Sequence, residues 1–465
     1  MAFSLAPKWS AVIILGSIVG FLFIIASITN PRWPLGIILI FTPMKFLSVP
    51  IASYHINATY LLIAVLTFIL YTKGSITGRY IWTKSPLDKW FAILLSFAII
   101  NSIFSRYAFN TSKMWFYFII TGPLLFLLVH HHFTQGVHIR KGVTLVIIAI
   151  CAIGLTNMIE IIVTHKPLQF LLFSEIAGQP VPQVYEYRAQ SFTNNAVIIG
   201  MGFSIVFPFA IFGLQHAANK TNRLIWSLIS LILILGALAT FSRGTLLAML
   251  VSLLFLLFRK KRLILIGGIG LILLAVVISQ TTVFELLLIR LDPRYLMNDP
   301  SLWHRLLMFW SCWRIFLEEP LIGAGLESIK AIYNDYRHPL DILRVTVVDN
   351  QFLSLVYGTG IVGLIIVFGL FVKIFKHLLR YRWHKQIPIA KSFRWAGTIS
   401  VLAFCINSLT FDSFMWAYSN VFFWFTTALL IKFTSLPHDQ ITAFFRLYGY
   451  KEDSPELALN KNPES

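Results

Sequence analysis

The sequence has 465 residues, of which 57% are hydrophobic and only 12% are charged. Soluble domains carry about 25% charged residues, so this composition excludes an ordinary soluble protein and predicts a polytopic integral membrane protein. The net charge of +19 comes from Lys and Arg clusters between apolar runs, where the positive-inside rule accounts for them, and we expect no nucleic-acid partner. The three cysteines have neither a disulfide nor a metal-ligand spacing.

Apolar runs of spanning length follow one another along the chain. About 17 to 25 apolar residues cross a bilayer core as a helix, which satisfies its own backbone hydrogen bonds there, so we predict an all-α fold. The candidate runs are residues 10–29, 34–49, 57–72, 90–105, 114–130, 142–164, 195–215, 224–240, 242–258, 263–280, 350–375, 393–411 and 414–434. Prolines interrupt the stretch from Pro31 to Pro50, which we interpret as a broken or re-entrant piece. This interpretation gives about twelve transmembrane helices and a cytoplasmic N-terminus.

Clusters of basic residues orient the spans. Residues 259–262 are four consecutive cations, and residues 373–394 contain seven basic residues and no acidic one, so both segments should be cytoplasmic. Counting spans outward adds to this side residues 73–89, 140–141 and 220–223. The external segments are then residues 165–193, the 240–242 turn, residues 281–349 and the 412–413 turn. The polar residues 451–465 should be a disordered cytoplasmic tail, which leaves residues 1–450 as a single membrane domain.

The largest external loop, residues 281–349, differs from the rest of the chain in charge. It contains nine acidic and seven basic residues and is therefore net −2 within a protein of +19. Within it, the segment from Ser301 to Glu318 is rich in Trp, Leu and Phe, which predicts a helix lying in the membrane interface. A glycine-marked turn at 323–325 and a second short helix over 326–337 follow. The loop should therefore cover the external surface with short interfacial helices.

Arg243 opens a membrane helix at the external side, where the helix dipole disfavours a cation unless an anion is near. The helix N-terminus, the Ser242 hydroxyl and the guanidinium together predict a phosphate site. Arg188 lies in the other sizeable external loop, and two arginines from different helices would suit a diphosphate. The alternatives are that Arg243 reaches the interface and pairs with a loop carboxylate, and that Arg188 is a surface charge.

Asp349 ends the large loop and could act as a general base on a hydroxyl nucleophile, although Asp is also a common helix N-cap. Arg305, on the interfacial helix, could contact phosphate or sugar, or form a salt bridge with Glu318 or Glu319. Asp412, between the last two spans, is interpreted as a turn residue, with a functional role as the alternative. These assignments leave the base-or-cap question for Asp349 open.

No signature of a metal or nucleotide site is found in the sequence. The histidines at 130–132 are adjacent, so they point in different directions on a helix, and a solvated interface explains them better than a metal site. A P-loop is absent from the sequence, and the glycines at 267–270 lie within a membrane helix, where small residues serve packing. We therefore expect no cofactor and no metal, and the energy for a reaction must arrive in the substrate.

Three stretches of the sequence resemble the O-antigen ligase and O-antigen polymerase superfamily: FSRGTLLAML from 241, HRLLMFWSCWRIFLEEPLIGAGLESI from 304, and VVDNQFLSLVYGTGIVGLIIVFGLF from 347. The resemblance covers about residues 185–375. It implies a metal-independent, inverting glycosyltransferase of the bacterial inner membrane with a periplasmic loop. The donor would be a polyprenyl-diphosphate-linked glycan held by Arg188 and Arg243, and the acceptor a glycan or a lipid-anchored molecule within the membrane lipids.

One departure from the family pattern concerns the base. Ligases that transfer glycan to lipid A-core typically have His-Asn where this chain has Asp349-Asn350. Aspartate could take that role, with a lower unperturbed pKa of about 3.9, and His338 is a possible substitute. The change favours a repeat-unit polymerase or a ligase for another acceptor. The possible substrate contacts are Ser242, Arg305, His338 and Asn350.

Two functions of other classes compete with glycosyl transfer. A transporter or flippase of lipid-linked or anionic solutes would need ionisable groups near the bilayer midplane, where Glu160 is the main candidate. A membrane scaffold subunit without activity would need none. Most other charges lie at the ends of spans, which favours chemistry at the membrane surface.

Overall fold

The computed structural model describes residues 20–44, 48–51, 54–78, 83–164, 188–193, 195–257, 300–340, 348–380 and 387–445. Several predictions concern residues outside these ranges: the span at 263–280, the basic cluster at 259–262, the first part of the large loop at 281–299, and the tail at 451–465. The regular secondary structure of the described residues is helical apart from one short hairpin. The all-α prediction is therefore confirmed.

The hairpin pairs β1 (Ser48–Ile51) with β2 (Tyr54–Asn57) in antiparallel register. The helices before the large loop are α1 (Gly20–Thr29), α2 (Arg32–Phe41), α3 (Ala58–Thr77), α4 (Asp88–Phe104), α5 (Ala108–His132), α6 (Gly136–Thr164), α7 (Ala196–Gln215), α8 (Lys220–Ala239) and α9 (Arg243–Leu257). Within and after that loop they are α10 (Pro300–Glu318), α11 (Ile329–Tyr336), α12 (Gln351–Leu379), α13 (Pro388–Ser408), α14 (Ala417–Thr434) and α15 (His438–Phe445).

Seven of the described helices are long and apolar enough to cross a membrane, namely α3, α5, α6, α7, α8, α12 and α13. Each coincides with a run predicted from the sequence, so the polytopic character of the protein is confirmed. Helix α2 has ten residues and rises about 15 Å, half of the ~30 Å hydrocarbon core. The stretch between Pro31 and Pro50 thus forms a short helix and a strand, in keeping with the broken piece expected there.

Helix α7 lies at the centre of the bundle. In its most apolar window 89% of the residues are buried, against 28% for α8 and for α3. A helix that is apolar on all sides is stable when other helices surround it, and α7 packs against α8, α9, α13 and α14. The loops that join α7, α8, α9, α13 and α14 are therefore attached to a closely packed group of helices.

The helices of the large loop form a smaller core of their own. Met308, Cys312 and Ile315 on the inner face of α10 pack with Ile332 and Tyr333 of α11 and with the first turns of α12. On the opposite face of α10, Trp303, Leu306 and Phe309 are all more than half exposed. An apolar outer face over a packed inner face is the arrangement expected of a helix that lies in the membrane interface.

Helix α12 is broken at Gly360, whose φ of 62° and ψ of −167° are not helical. The loop segment 320–325 enters the break and takes over the freed backbone groups. Ala324 N donates to the Tyr357 carbonyl at 2.9 Å, and Ile361 N donates to the Pro320 carbonyl at 2.9 Å. Irregular backbone within a membrane is stable when its polar groups are paired in this way. The glycine-marked turn of the large loop is thus hydrogen-bonded to the backbone of α12 at its break.

Asn101 and Ser105 of α4 fasten the same segment from a second side. The Asn101 amide donates to the Ile322 carbonyl at 2.9 Å and to the Gly358 carbonyl at 3.1 Å. Ser105 Oγ donates to the Ala324 carbonyl at 2.9 Å. Because α4 and the break in α12 both hold this stretch, it is a fixed anchor for the loop helices.

Candidate active site

The turn between α13 and α14 connects two of the predicted site segments. Asn350 Nδ2 donates to the Leu409 carbonyl at 3.0 Å, which joins the end of the large loop to this turn. Gly244 packs against the same turn so closely that an added Cβ would lie 2.0 Å from the Thr410 hydroxyl. The first turn of α9 and the end of the large loop therefore lie at the same end of the bundle. Both were predicted to be external.

Arg188 and Arg243 converge on one tight turn. Arg188 Nε donates to the carbonyl of Thr240 at 3.1 Å, and the next residue pairs its backbone with the end of α8. Phe241 in the turn has a positive φ of 49°, and helix α9 begins at Arg243. Both arginines are partly buried. The structure thus places the Arg188 guanidinium against the turn that leads into Arg243, and the binding role of both arginines stays a prediction.

The Ser242 hydroxyl lies at the start of α9. It is buried and is 3.5 Å from the Thr245 backbone N–H, which donates to it. A hydroxyl in this position acts as a helix N-cap. Its predicted contact with substrate stays a prediction, and this cap explains its presence without a substrate.

Glu160 holds the segment that carries Arg188. Its Oε2 accepts hydrogen bonds from the backbone N–H groups of Gln190 and Ser191, each at 2.8 Å. The Ser191 hydroxyl also hydrogen-bonds Thr156 at 2.6 Å. Glu160 is buried at the C-terminal end of α6 and fixes a loop there. Glu160, the group considered for a transport pathway, therefore holds the loop segment that contains Arg188.

Asn350, and not Asp349, is the N-cap of α12. Asn350 Oδ1 accepts from the backbone N–H groups of Phe352 at 2.9 Å and Leu353 at 3.0 Å. Asp349 lies one residue before this cap, and its carboxylate accepts hydrogen bonds from Arg305 instead. The capping interpretation of Asp349 is therefore wrong. Both residue types suit an N-cap, and only the backbone geometry shows which of the two takes that position.

We expect the cap to appear in stability measurements. Asn350→Ala removes the acceptor of two backbone hydrogen bonds and the bond to Leu409, and it should lower the free energy of unfolding by about 1 to 2 kcal/mol. Asp349→Ala removes a partly exposed ion pair and should cost at most about 1 kcal/mol. Thermal unfolding of the two purified variants in the same detergent checks the order. A larger loss for Asp349→Ala would contradict the assignment of the cap.

Asp349 pairs with Arg305 of α10. Arg305 Nε and Nη2 both donate to Asp349 Oδ2, at 3.3 and 3.1 Å. The alternative pairing of Arg305 with Glu318 or Glu319 is wrong: Arg106 pairs with Glu319 at 2.8 Å and approaches Glu318 at 3.7 Å. The interfacial helix thus holds the carboxylate that was predicted to be the base, and both contacts use one of its two oxygens.

His338 is poorly placed to substitute for Asp349 as the base. Its Nδ1 accepts the backbone N–H of Leu340 at 3.1 Å, and its ring meets Trp310 edge to face at 4.8 Å. A backbone N–H can only donate, so a neutral His338 carries its proton on Nε2. Neither ring nitrogen is then a free proton acceptor. His338 stays a predicted substrate contact at the edge of the loop.

The histidines at 130–132 lie at the other end of α5. His130 is buried, stacks on Phe126, and its Nδ1 is 3.4 Å from Thr83 Oγ1. The solvated surface expected for this cluster is therefore wrong for His130. In the described ranges, no group of three His, Cys, Asp or Glu side chains could hold a metal ion.

A cavity of about 350 Å³ lies beside the end of the large loop. It is bounded by Val348, which precedes Asp349, and by Thr193, which follows the Arg188 segment. Its charged residues are Lys113 of α5, Glu327 and Lys330 of the large loop, and Asp412 of the turn after α13. Sequence reasoning missed Lys113, Glu327 and Lys330, which carry no motif, and interpreted Asp412 as an ordinary turn residue. An acidic residue between phenylalanines, in Phe411-Asp412-Ser413-Phe414, was the available signal.

A comparison with known families matches residues 228–368 to the family described as O-antigen ligase. The matched region contains Ser242, Arg243, Arg305, Asp349 and Asn350, whereas Arg188 and Asp412 lie outside it. The match confirms the resemblance drawn from the sequence stretches. No curated protein matches the chain.

Proposed function

Since residues 228–368 match the O-antigen ligase family, we propose that the chain is a membrane glycosyltransferase whose donor is a glycan linked to polyprenyl diphosphate. The observation that carries the proposal is the 3.1 Å hydrogen bond from Arg188 Nε to the Thr240 carbonyl, because it sets Arg188 beside the turn that leads into Arg243. Guanidinium groups bind phosphate oxygens with paired donors, and two of them suit a diphosphate. The lipid diphosphate supplies the leaving group, so no nucleotide is needed.

In the proposed reaction an acceptor hydroxyl attacks the anomeric carbon of the donor sugar from the face opposite the diphosphate. The new carbon–oxygen bond forms while the bond to the diphosphate oxygen breaks, and the electron pair leaves with the diphosphate. Arg188 and Arg243 stabilise the negative charge that develops there. Asp349 accepts the proton of the hydroxyl, and Arg305 holds the carboxylate through Oδ2. The anomeric configuration is inverted.

The reaction would take place on the extracytoplasmic side of a bacterial inner membrane. The turn before α9, the end of the large loop and the turn after α13 are in contact, and basic clusters predict that all three are external. Lipid-linked glycans presented on that side would reach the arginines from the membrane. The product is either a longer lipid-linked chain or a glycan attached to another acceptor.

The competing transport function was linked to one ionisable group, Glu160, which has a different role among the described residues. Glu160, the residue that a transport pathway would use, accepts two backbone hydrogen bonds from the Arg188 segment. Replacing Glu160 would therefore disturb the loop that contains Arg188, and we expect no effect of the kind that a transport group at the bilayer midplane would give.

Reconstitution tests the proposed function directly. Purified full-length protein in proteoliposomes is mixed with a polyprenyl-diphosphate oligosaccharide, alone or together with rough lipopolysaccharide as acceptor. We expect release of polyprenyl diphosphate in at least one of the two mixtures. Longer lipid-linked chains in the first mixture identify a polymerase, and glycan on lipopolysaccharide in the second identifies a ligase.

The rival function has a distinct outcome in the same vesicles. Donor that moves between the leaflets chemically unchanged, with no release of polyprenyl diphosphate in either mixture, would overturn glycosyl transfer and support transport. A vesicle preparation without protein gives the background for both measurements.

A further inference from the structure

Asp412 is an unusual residue in the cavity beside Asp349. It is only 7% exposed, although it is a carboxyl group, and it lies in the turn between α13 and α14. Its Oδ2 accepts the Ser354 hydroxyl at 3.0 Å. Its Oδ1 is buried and has no hydrogen-bond partner among the described residues. A buried carboxyl oxygen without a partner is costly, so a ligand that supplies a donor would be stabilised there.

The charges around Asp412 come from different elements. Lys113 of α5 and Lys330 of α11 both pair with Glu327, the first at 3.9 Å. The cavity contains two cations and two anions when Asp412 is ionised, and has one net positive charge when Asp412 is protonated. Burial, together with the nearby Glu327 and Asp349 carboxylates, raises the pKa of Asp412, while Ser354 and Lys330 act in the opposite direction. The cavity therefore offers acceptors and donors without a strong net charge.

Aromatic side chains form much of the remaining wall. Tyr60 and Tyr117 stack with their ring centroids 4.4 Å apart, and Tyr357 and Trp416 also line the cavity. A volume of about 350 Å³ lies within the usual range of small-molecule sites, ~300 to 1,000 Å³. Aromatic walls with a few convergent polar groups and little net charge suit a sugar ring, which has apolar C–H faces and hydroxyl edges.

We propose that this cavity binds an uncharged sugar residue of the acceptor glycan and that Asp412 Oδ1 accepts a hydrogen bond from one of its hydroxyl groups. The inference rests on the proposed glycosyl transfer and assigns the acceptor side of it. Asp412 binds and orients the sugar, while the proton of the attacking hydroxyl passes to Asp349. Val348, in the cavity wall, is adjacent in sequence to Asp349, so a sugar in the cavity lies next to the base.

Asp412→Asn is the sharpest test. The asparagine oxygen can still accept the Ser354 hydroxyl, while its amide replaces the free acceptor Oδ1 by a donor. In the reconstituted transfer assay we expect the acceptor KM to rise roughly 10- to 100-fold, with the donor KM unchanged. An unchanged acceptor KM, or equal rises in both KM values, would overturn the proposal.

Two further variants make the result interpretable. Tyr117→Phe keeps the stacked ring and removes only a hydroxyl in the cavity, so it should raise the acceptor KM by about 2- to 10-fold even if Asp412→Asn does not fold. Asp439→Asn makes the same chemical change on the exposed surface of α15 and should leave both KM values unchanged. An unchanged acceptor KM in Tyr117→Phe counts against the sugar site.

A binding measurement separates failure of this inference from failure of the proposed function. The repeat-unit glycan, released from its lipid by mild acid, is added to wild type and Asp412→Asn in detergent, and saturation-transfer NMR records contact with the protein. Signals present in wild type and lost in the variant support the sugar site even if no transfer occurs. Equal signals in both proteins overturn the site even if wild type transfers glycan.

Discussion

Replacing Arg243 by alanine should reduce the initial rate of glycan transfer at least ~10²-fold. The guanidinium at the start of α9 is expected to bind the diphosphate oxygens as negative charge grows on the leaving group. Arg243→Lys keeps the charge but loses the paired donors, so its rate should lie between those of wild type and Arg243→Ala. Release of polyprenyl diphosphate by the purified variants measures the effect.

Arg223→Ala is the matched control for this change. Arg223 is an exposed arginine in the first turn of α8, whereas the turn that leads into Arg243 follows the last turn of the same helix. Its removal should leave the rate of transfer unchanged. Equal rates for Arg223→Ala and Arg243→Ala, with both proteins present in the membrane at normal amounts, would exclude Arg243 as a diphosphate ligand.

Asp349→Asn should lower the transfer rate by about 10²- to 10⁴-fold, the usual contribution of a positioned general base. The amide has nearly the shape of the carboxylate, and its oxygen can still accept from Arg305, but it cannot take up a proton. Because Asn350 and not Asp349 caps α12, the variant should unfold at nearly the same temperature as wild type. Single-turnover rates at saturating donor and acceptor measure the chemical step.

Glu319→Gln provides the control for a lost ion pair. It makes the same carboxylate-to-amide change in the large loop, where Glu319 pairs with Arg106 at 2.8 Å, away from the contacts of Asp349. Its transfer rate should equal that of wild type. If Asp349→Asn is fully active, the proton acceptor is a different group, and the roles of Asp349 and Asp412 must be assigned anew.

The spans could be predicted from the sequence because apolar length is a local property. The runs at 195–215, 224–240 and 350–375 reappear as α7, α8 and α12 within a few residues. The break in α12 could not be predicted in the same way. It depends on the segment 320–325, which lies far from Gly360 in sequence and supplies the hydrogen bonds that the helix loses there.

For the candidate site too, some features could be predicted from the sequence and others could not. A cation at the start of a membrane helix and a second one in an external loop are visible in the sequence, and the fold sets Arg188 against the turn before Arg243. Asp349 and Asn350 are both good helix caps, so the sequence could not say which of them caps α12. The backbone at the end of the loop places Asn350 at the N-cap, and Asp349 pairs with Arg305, 44 residues away.

The sequence by itself determined that this is a helical membrane protein, which ends of its helices carry positive charge, and which family its central part resembles. Each of these follows from residues that are neighbours along the chain. The tertiary structure alone decided which residue caps α12, which partner Arg305 takes, and that Asp412 is buried in a cavity with one oxygen unpartnered among the described residues. These properties depend on contacts between distant segments, because the burial and pairing of a polar group are set by whatever the fold packs against it.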